Sequence, residues 1–84
     1  MEVEVLIVTG RTRHGRNKIH EHGDTWFVVH SGEPRLVASE RDGDVRWLLS
    51  EHFAIQRMGT RTIADDSIAA QAIARFGVGR MVRG

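Results

Sequence analysis

The sequence GRTRHGRNKIHEHGDTW, residues 10–26, joins two candidate strands and carries a dense cluster of positive charge. Residues 11–18 contain no acidic and no apolar side chain, and their four cations are Arg11, Arg13, Arg16 and Lys18. Such a segment predicts an exposed loop, and long loops in compact domains are often functional. Residues 21–24 then predict a turn, with Gly23 available for positive φ. We therefore predict a basic loop mounted on a β-hairpin.

Candidate strands flank this loop on both sides. Residues 2–9, EVEVLIVT, place Val3, Val5 and Ile7 on one face and predict a strand that is half-buried at first and fully buried later. Residues 25–30, TWFVVH, are rich in aromatic and β-branched side chains and predict the central strand. Further strands are predicted at residues 19–21, 35–40, 45–49 and 53–58, with Asp42-Gly43 as a tight hairpin signal.

Five or six short antiparallel strands, spaced about ten residues apart by turn signals, predict a mainly β fold closed into a small barrel. A long first loop, two tight hairpins and a one-turn break at residues 50–52 are the connectivity of an SH3-like barrel. Closure would also protect the apolar strand edges. We predict that residues 1–58 form this barrel and that residues 59–84 form an amphipathic helix with a basic tail.

The C-terminal helix is predicted to start at Thr62 or Asp65 and to run to about residue 76, with Arg75 in its last turn. Residues 77–79, GVG, are predicted to end the helix. Its apolar side chains form a narrow stripe at helical spacing, which packs either on the barrel or on a partner, including a second copy of the chain. The candidate protein interface consists of Ile68, Ala72, Ile73 and Phe76.

The composition predicts one small domain of 84 residues with a formal net charge of +1. The absence of cysteine excludes disulfides and thiolate chemistry. No apolar run reaches the roughly 20 residues that span a bilayer, and the N-terminus does not have the pattern of a signal peptide, so we expect a cytoplasmic protein without membrane contact. Arginine suits phosphates and carboxylates because its donors form a planar fork. A GC-rich genome would also enrich arginine, but it would not explain the clustering.

The run TRHGRNKIHEHGDTW, with VRWLL at residues 45–49, resembles small phage-encoded proteins with an SH3-like barrel. The resemblance covers about residues 9–50 and implies the fold and a phage origin more than it implies a function. The segment after Met58 has no counterpart in that pattern. The residues that carry the resemblance are Thr12, Arg13, Gly15, Asn17, Ile19, Glu21, His22, Gly23 and Trp26.

The sequence offers no legible catalytic site. No serine has the glycine-flanked elbow of a nucleophile, and residues 11–17 lack the ending of a phosphate-binding P-loop. On a strand, His20 and His22 would point to one face and, with His14 and Asp24, would suit zinc or nickel. Against this interpretation, histidines are common in surface turns, and turn geometry explains Glu21, His22 and Gly23. We predict no enzyme, no metal and no cofactor.

Two functions remain. The first is a protein–protein module of phage type that docks on or inhibits a host or virion protein, through the C-terminal helix or a barrel edge. The second is a module for nucleic-acid backbone, in which the basic loop contacts phosphates and Arg80 and Arg83 assist. Trp26 or Trp47 would offer a stacking face if exposed, although both fit the core of a small barrel. The near-neutral net charge places the protein partner slightly ahead.

Overall fold

The computed structural model describes residues 1–83, with side chains described for residues 1–76. In chain order the elements are β1 (Glu2–Gly10), α1 (Arg13–His22), β2 (Thr25–His30), β3 (Arg35–Ser39), β4 (Val45–Leu48), β5 (Phe53–Thr62) and α2 (Ile68–Arg83). The side chains of Arg80 and Arg83, two cations of the predicted basic tail, lie outside the described residues.

The five strands form one antiparallel sheet in the order β4-β3-β2-β1-β5. This confirms the predicted mainly β architecture with short antiparallel strands and a C-terminal helix. The predicted closure into a barrel is not observed, because β4 and β5 are not paired and the sheet stays open. Two helices cover the two faces instead, so the apolar side chains are buried without closure.

The two faces of the sheet carry separate apolar clusters. Side chains alternate along a strand, so β1 turns Val3 and Val5 to one face and Leu6 and Val8 to the other. This confirms the prediction of a strand that becomes buried on both sides. The first cluster is Leu6, Val8, Trp26, Val37, Leu48 and Phe53, and Ile19 of α1 packs against it. The second is Val3, Val5, Phe27 and Ala69, and Ile63 and Ile73 pack against it.

The predicted basic loop is wrong, because most of it is the helix α1. Thr12 is the N-cap, and Gly23, with φ of 89°, follows the last turn and donates its N–H to the carbonyl oxygen of Ile19. The strand predicted at residues 19–21 is part of the same helix. The segment lacks an apolar stripe because its buried side consists of Gly15 and, in part, Ile19 and His22. Hydrophobic periodicity therefore gave no helical signal.

The C-terminal helix was predicted, but its start and its end differ from the prediction. Thr62 belongs to β5, and Ser67 caps the helix by accepting from the N–H of Ala70. The element continues to Arg83 and so includes residues 77–79, which were predicted to end it. A start at residue 68 and this continuation also move Arg75 out of the last turn.

Side chains of α2 predicted to form one interface are divided between the core and the surface. Ala72 is buried and Ile73 packs on the second cluster, because the small side chains of α2 let the helix approach the sheet closely. Ile68 and Phe76 are exposed. The predicted partner surface is thus reduced to Ile68 and Phe76, and polar substitution of Ile73 would disturb the fold itself.

Strand β5 is longer than predicted and passes residue 58, the boundary expected between barrel and helix. The register of β5 with β1 shifts between Glu4 and Leu6, next to Gly59, whose φ is 89°. Such a bulge bends a free edge strand away from further pairing. Within the described residues, neither helix combines the length and the apolar character needed to cross a bilayer.

Candidate functional site

The start of α1 is fixed to the turn between β4 and β5. Thr12 Oγ1 accepts from the N–H of Gly15 at 3.2 Å and lies 2.8 Å from Nδ1 of His52. The backbone N–H of Arg11 donates to the carbonyl oxygen of His52 at 2.8 Å. The helix start therefore has a defined position relative to a turn that is 40 residues away in the chain.

Two glycines let the helix approach the sheet this closely. A Cβ at residue 15 would collide with the carbonyl oxygen of His52, and a Cβ at residue 10 would collide with the backbone of Arg16. Both obstacles are backbone atoms, which cannot move aside as the end of a side chain can. Gly10 and Gly15 thus place α1 against the end of β1.

The cations of α1 lie on different sides of the helix. Arg13 and Arg16 are exposed. Arg13 lies with Asn17 and His20 on the side opposite the buried Gly15, and Arg16 lies beside the end of β1. Lys18 lies on the flank, where its Nζ is 3.6 Å from a carboxylate oxygen of Glu21 and its side chain is only 21% exposed. Three of the four predicted cations therefore remain available to a ligand, since Arg11 is also exposed.

The exposed arginines at the start of α1 have no acidic partner among the described side chains. Within residues 1–76, Arg11, Arg13 and Arg16 form no ion pair, although Nη1 of Arg11 donates to the carbonyl oxygen of Ser50 at 3.1 Å. Three arginines on the strands, in contrast, pair with carboxylates; the pairs are Arg46 with Asp44, Arg57 with Glu4 and Arg61 with Glu40. We call the group Arg11, Arg13 and Arg16 the arginine surface.

Two residues beside the arginine surface were not among the predicted site residues. His52 lies against His14, with ring centroids 4.7 Å apart and a tilt of 53°. Ser50 receives the hydrogen bond of Arg11. Sequence reasoning missed both because they come from the β4–β5 turn, and no local pattern shows that this turn meets the start of α1.

The histidines considered as metal ligands do not come together. On the helix, His20 and His22 project to nearly opposite sides, so the shared face expected from a strand is lost. The side chain of His22, at the end of α1, instead contacts the β3–β4 hairpin, with Nδ1 2.7 Å from Oδ2 of Asp42. Its Nε2 is buried without a hydrogen bond, 3.5 Å from carboxylate oxygens of Glu21 and Asp44. Across residues 1–76, no group of three ligating side chains is arranged to hold a metal ion.

The hairpin is joined to the end of α1 by a second contact. The buried Ser39 Oγ donates to the carbonyl oxygen of His22 at 2.6 Å and accepts from the N–H of Arg41. Burial raises the pKa of Asp42, but the hydrogen bonds from His22 and from the N–H of Asp44, with the positive charge of His22, outweigh burial and lower it. The carboxylate of Asp42 is therefore better stabilised in the folded protein than in the unfolded chain.

We predict that this contact weakens in acid. A carboxyl group whose pKa is lowered by folding stabilises the folded protein at pH values above its unfolded pKa of about 3.9. This stabilisation is lost as the pH falls through the folded pKa. Asp42→Asn is therefore expected to be less stable than the native protein at neutral pH, with the difference disappearing below about pH 4. Urea unfolding at several pH values measures this, with Asp66→Asn as the control for an exposed acid. A difference that persists in acid would contradict the prediction.

A shallow groove lies beside α1. Its volume is about 290 Å³, and it is lined by the end of β1, by Ile19 and by Arg16 and Asp24. The opposite charges of Arg16 and Asp24 leave the groove nearly neutral, so the concentrated positive charge is on the exposed helix rather than in the groove.

Comparison with known proteins adds no relative to these observations, since no protein-family model, no curated protein and no solved structure matches the chain.

Proposed function

We propose that this chain is a non-enzymatic binding domain whose arginine surface contacts the phosphate backbone of nucleic acid. The observation that supports this is the presence of three exposed arginines without acidic partners at the start of one firmly anchored helix. A guanidinium donates two parallel hydrogen bonds to a phosphate. Such phosphate contacts position a protein on nucleic acid but carry no base-sequence information by themselves, so the proposal is for binding to the backbone.

The proposed interaction is of moderate strength. The net charge is only +1, because 11 acidic residues nearly balance 12 lysine and arginine residues. Three phosphate contacts give a log–log salt slope of roughly 2 to 3, depending on whether the ligand is a single strand or a duplex. Binding is therefore expected at low salt and to weaken steeply at physiological salt.

We predict that neutralising the arginine surface removes this binding. The measurement is titration of labelled DNA and RNA, as single strands and duplexes, at two salt concentrations. Arg13→Gln and Arg16→Gln keep the helix, because glutamine is a good helix former. Each is expected to lower the salt slope by about 1, and the double variant to lose most of the affinity.

Arg75→Gln is the matched control, since Arg75 is an exposed arginine of α2 and its replacement changes the net charge equally. If Arg75→Gln weakens binding as much as Arg13→Gln does, the contact depends on overall charge and the arginine surface is not the site. If the native protein binds no nucleic acid at low salt, the proposal is wrong.

A protein partner is the second candidate, and one observation favours it. Trp47 on the edge strand β4 is 52% exposed, and tryptophan is a frequent anchor of protein interfaces. Ile68 and Phe76 on α2 are exposed as well and would serve a second copy or another protein. This candidate includes the phage-type accessory role, in the cytoplasm of a host cell. If the protein binds no nucleic acid, these three side chains are the candidate protein interface.

We also propose that the strand connectivity is SH3-like. What supports it is the strand order, in which β5 returns beside β1 after a meander of four strands, and the short break between β4 and β5. SH3-like folds serve many unrelated functions, so this likeness does not choose between the two candidates.

A further inference from the structure

The imidazole rings of His14 and His52 lie next to the arginine surface. Their centroids are 4.7 Å apart, and the ring of Phe53 meets that of His52 edge-on on another side. Within residues 1–76 neither ring has an acidic side chain at ion-pair distance, whereas His22 lies among three carboxylates. The pair is therefore set in surroundings that favour an anion.

The contact with Thr12 holds His52 in place whether or not its ring is protonated. In the neutral ring, the Thr12 hydroxyl can donate to Nδ1 while its oxygen accepts from the N–H of Gly15. When Nδ1 gains a proton, the same oxygen can accept from both groups, because a hydroxyl oxygen has two lone pairs. Protonation therefore adds charge at a fixed position instead of releasing the ring.

The charged groups around the pair are mainly positive. Arg11 comes from the segment before α1 and Arg13 from α1 itself, whereas Lys18 of α1 is paired with Glu21, and Glu51 is the acid of the β4–β5 turn. Two imidazolium rings this close repel each other and the nearby arginines. A bound phosphate reduces that repulsion.

We infer that His14 and His52 are further phosphate contacts of the arginine surface and that nucleic-acid binding is coupled to proton uptake by this pair. The inference rests on the proposed function and specifies how that site is regulated. Coupling is reciprocal: if phosphate favours protonation, protonation increases the affinity for phosphate by the same factor. Imidazole changes its charge between about pH 5 and 8, so affinity rises as the pH falls through this range.

The test is titration of a labelled oligo-dT single strand across that pH range at constant ionic strength. Thymine does not gain a proton there, so the ligand charge stays constant. We expect affinity to rise at least tenfold from the alkaline to the acidic end of the range, since one linked proton contributes up to about tenfold per pH unit. His14→Gln and His52→Gln are each expected to remove a part of this rise, and the double variant most of it.

His14→Gln is the decisive variant, because His14 is exposed and its replacement leaves the Thr12–His52 contact intact. His30→Gln is the control, since His30 is the last residue of β2, at the opposite strand end from the one that follows α1 in the chain. Binding with the same affinity at every pH, or a rise that His14→Gln leaves unchanged, would overturn the inference while the proposed function stands. Absence of binding at every pH would overturn both.

Discussion

Replacing Trp26 by alanine is expected to cost about 3–5 kcal/mol of unfolding free energy, the usual range for deleting a large buried aromatic side chain. Trp26 is 1% exposed and lies in the cluster between the sheet and α1. Its Nε1–H also donates to the carbonyl oxygen of Gly23 at 2.9 Å, so the alanine variant loses a bond at the end of the helix. A domain of this size has a total stability of only about 4–13 kcal/mol. Urea unfolding followed by circular dichroism measures the loss.

Trp47→Ala is the matched control for Trp26→Ala, because the same side chain is removed from an exposed position. It is expected to change the unfolding free energy by less than about 1 kcal/mol. Fluorescence should also distinguish the buried tryptophan from the exposed one: a protein retaining only Trp26 is expected to emit at shorter wavelength than one retaining only Trp47. Equal destabilisation by the two alanine variants would show that Trp26 is not the centre of the core.

The parts of the fold that could be predicted are those with local signals. Residues 25–30 are rich in aromatic and β-branched side chains, and they form β2 over the predicted bounds. Asp42-Gly43 predicted the hairpin between β3 and β4, where Gly43 has φ of 72°. In these segments the sequence pattern and the tertiary environment favour the same conformation, so short-range reasoning was sufficient.

The helix α1 could not be predicted for a physical reason. Its segment contains a glycine in the first turn and one apolar side chain, Ile19, so neither propensity nor periodicity favoured a helix. What stabilises the helix is non-local: the cap at Thr12 is bound to His52, and the backbone of Gly15 packs on the turn that contains His52. Contacts between residues 40 apart leave no trace in a local pattern.

Only a part of the candidate site could be predicted, because its geometry also depends on contacts between distant residues. The cluster of cations is visible in the sequence, but their neutralisation depends on the helix. Lys18 pairs with Glu21 because residues three apart are neighbours on a helix, whereas a loop would not fix that distance. The histidine pair beside Arg11 and Arg13 required the β4–β5 turn to be brought to the helix start. A charge cluster thus predicts a surface, and the fold decides which of its members remain free.

Gly15→Ala is the second substitution with a large expected effect on stability. Because α1 packs closely on the sheet, the sign of this effect is the reverse of the usual one. Glycine to alanine in a helix normally stabilises by about 1 kcal/mol. At residue 15 the new Cβ would meet the carbonyl oxygen of His52, and this oxygen also accepts from the N–H of Arg11. Relieving such a clash must displace backbone, at a typical cost of about 1–3 kcal/mol or more. We therefore expect Gly15→Ala to destabilise the protein by about 2 kcal/mol despite the better helix former.

The matched control is Asn17→Ala, which adds the same residue to the exposed side of the same helix. It is expected to leave the unfolding free energy unchanged or slightly higher, because alanine has the higher helix propensity. Gly10→Ala tests the other side of the contact, since its Cβ would collide with the backbone of Arg16. Because both glycines act on one contact, the double variant should lose less stability than the two single losses added together. A stabilising effect of Gly15→Ala would mean that α1 does not pack on the β4–β5 turn, and the arginine surface would then lose the anchor that fixes its position.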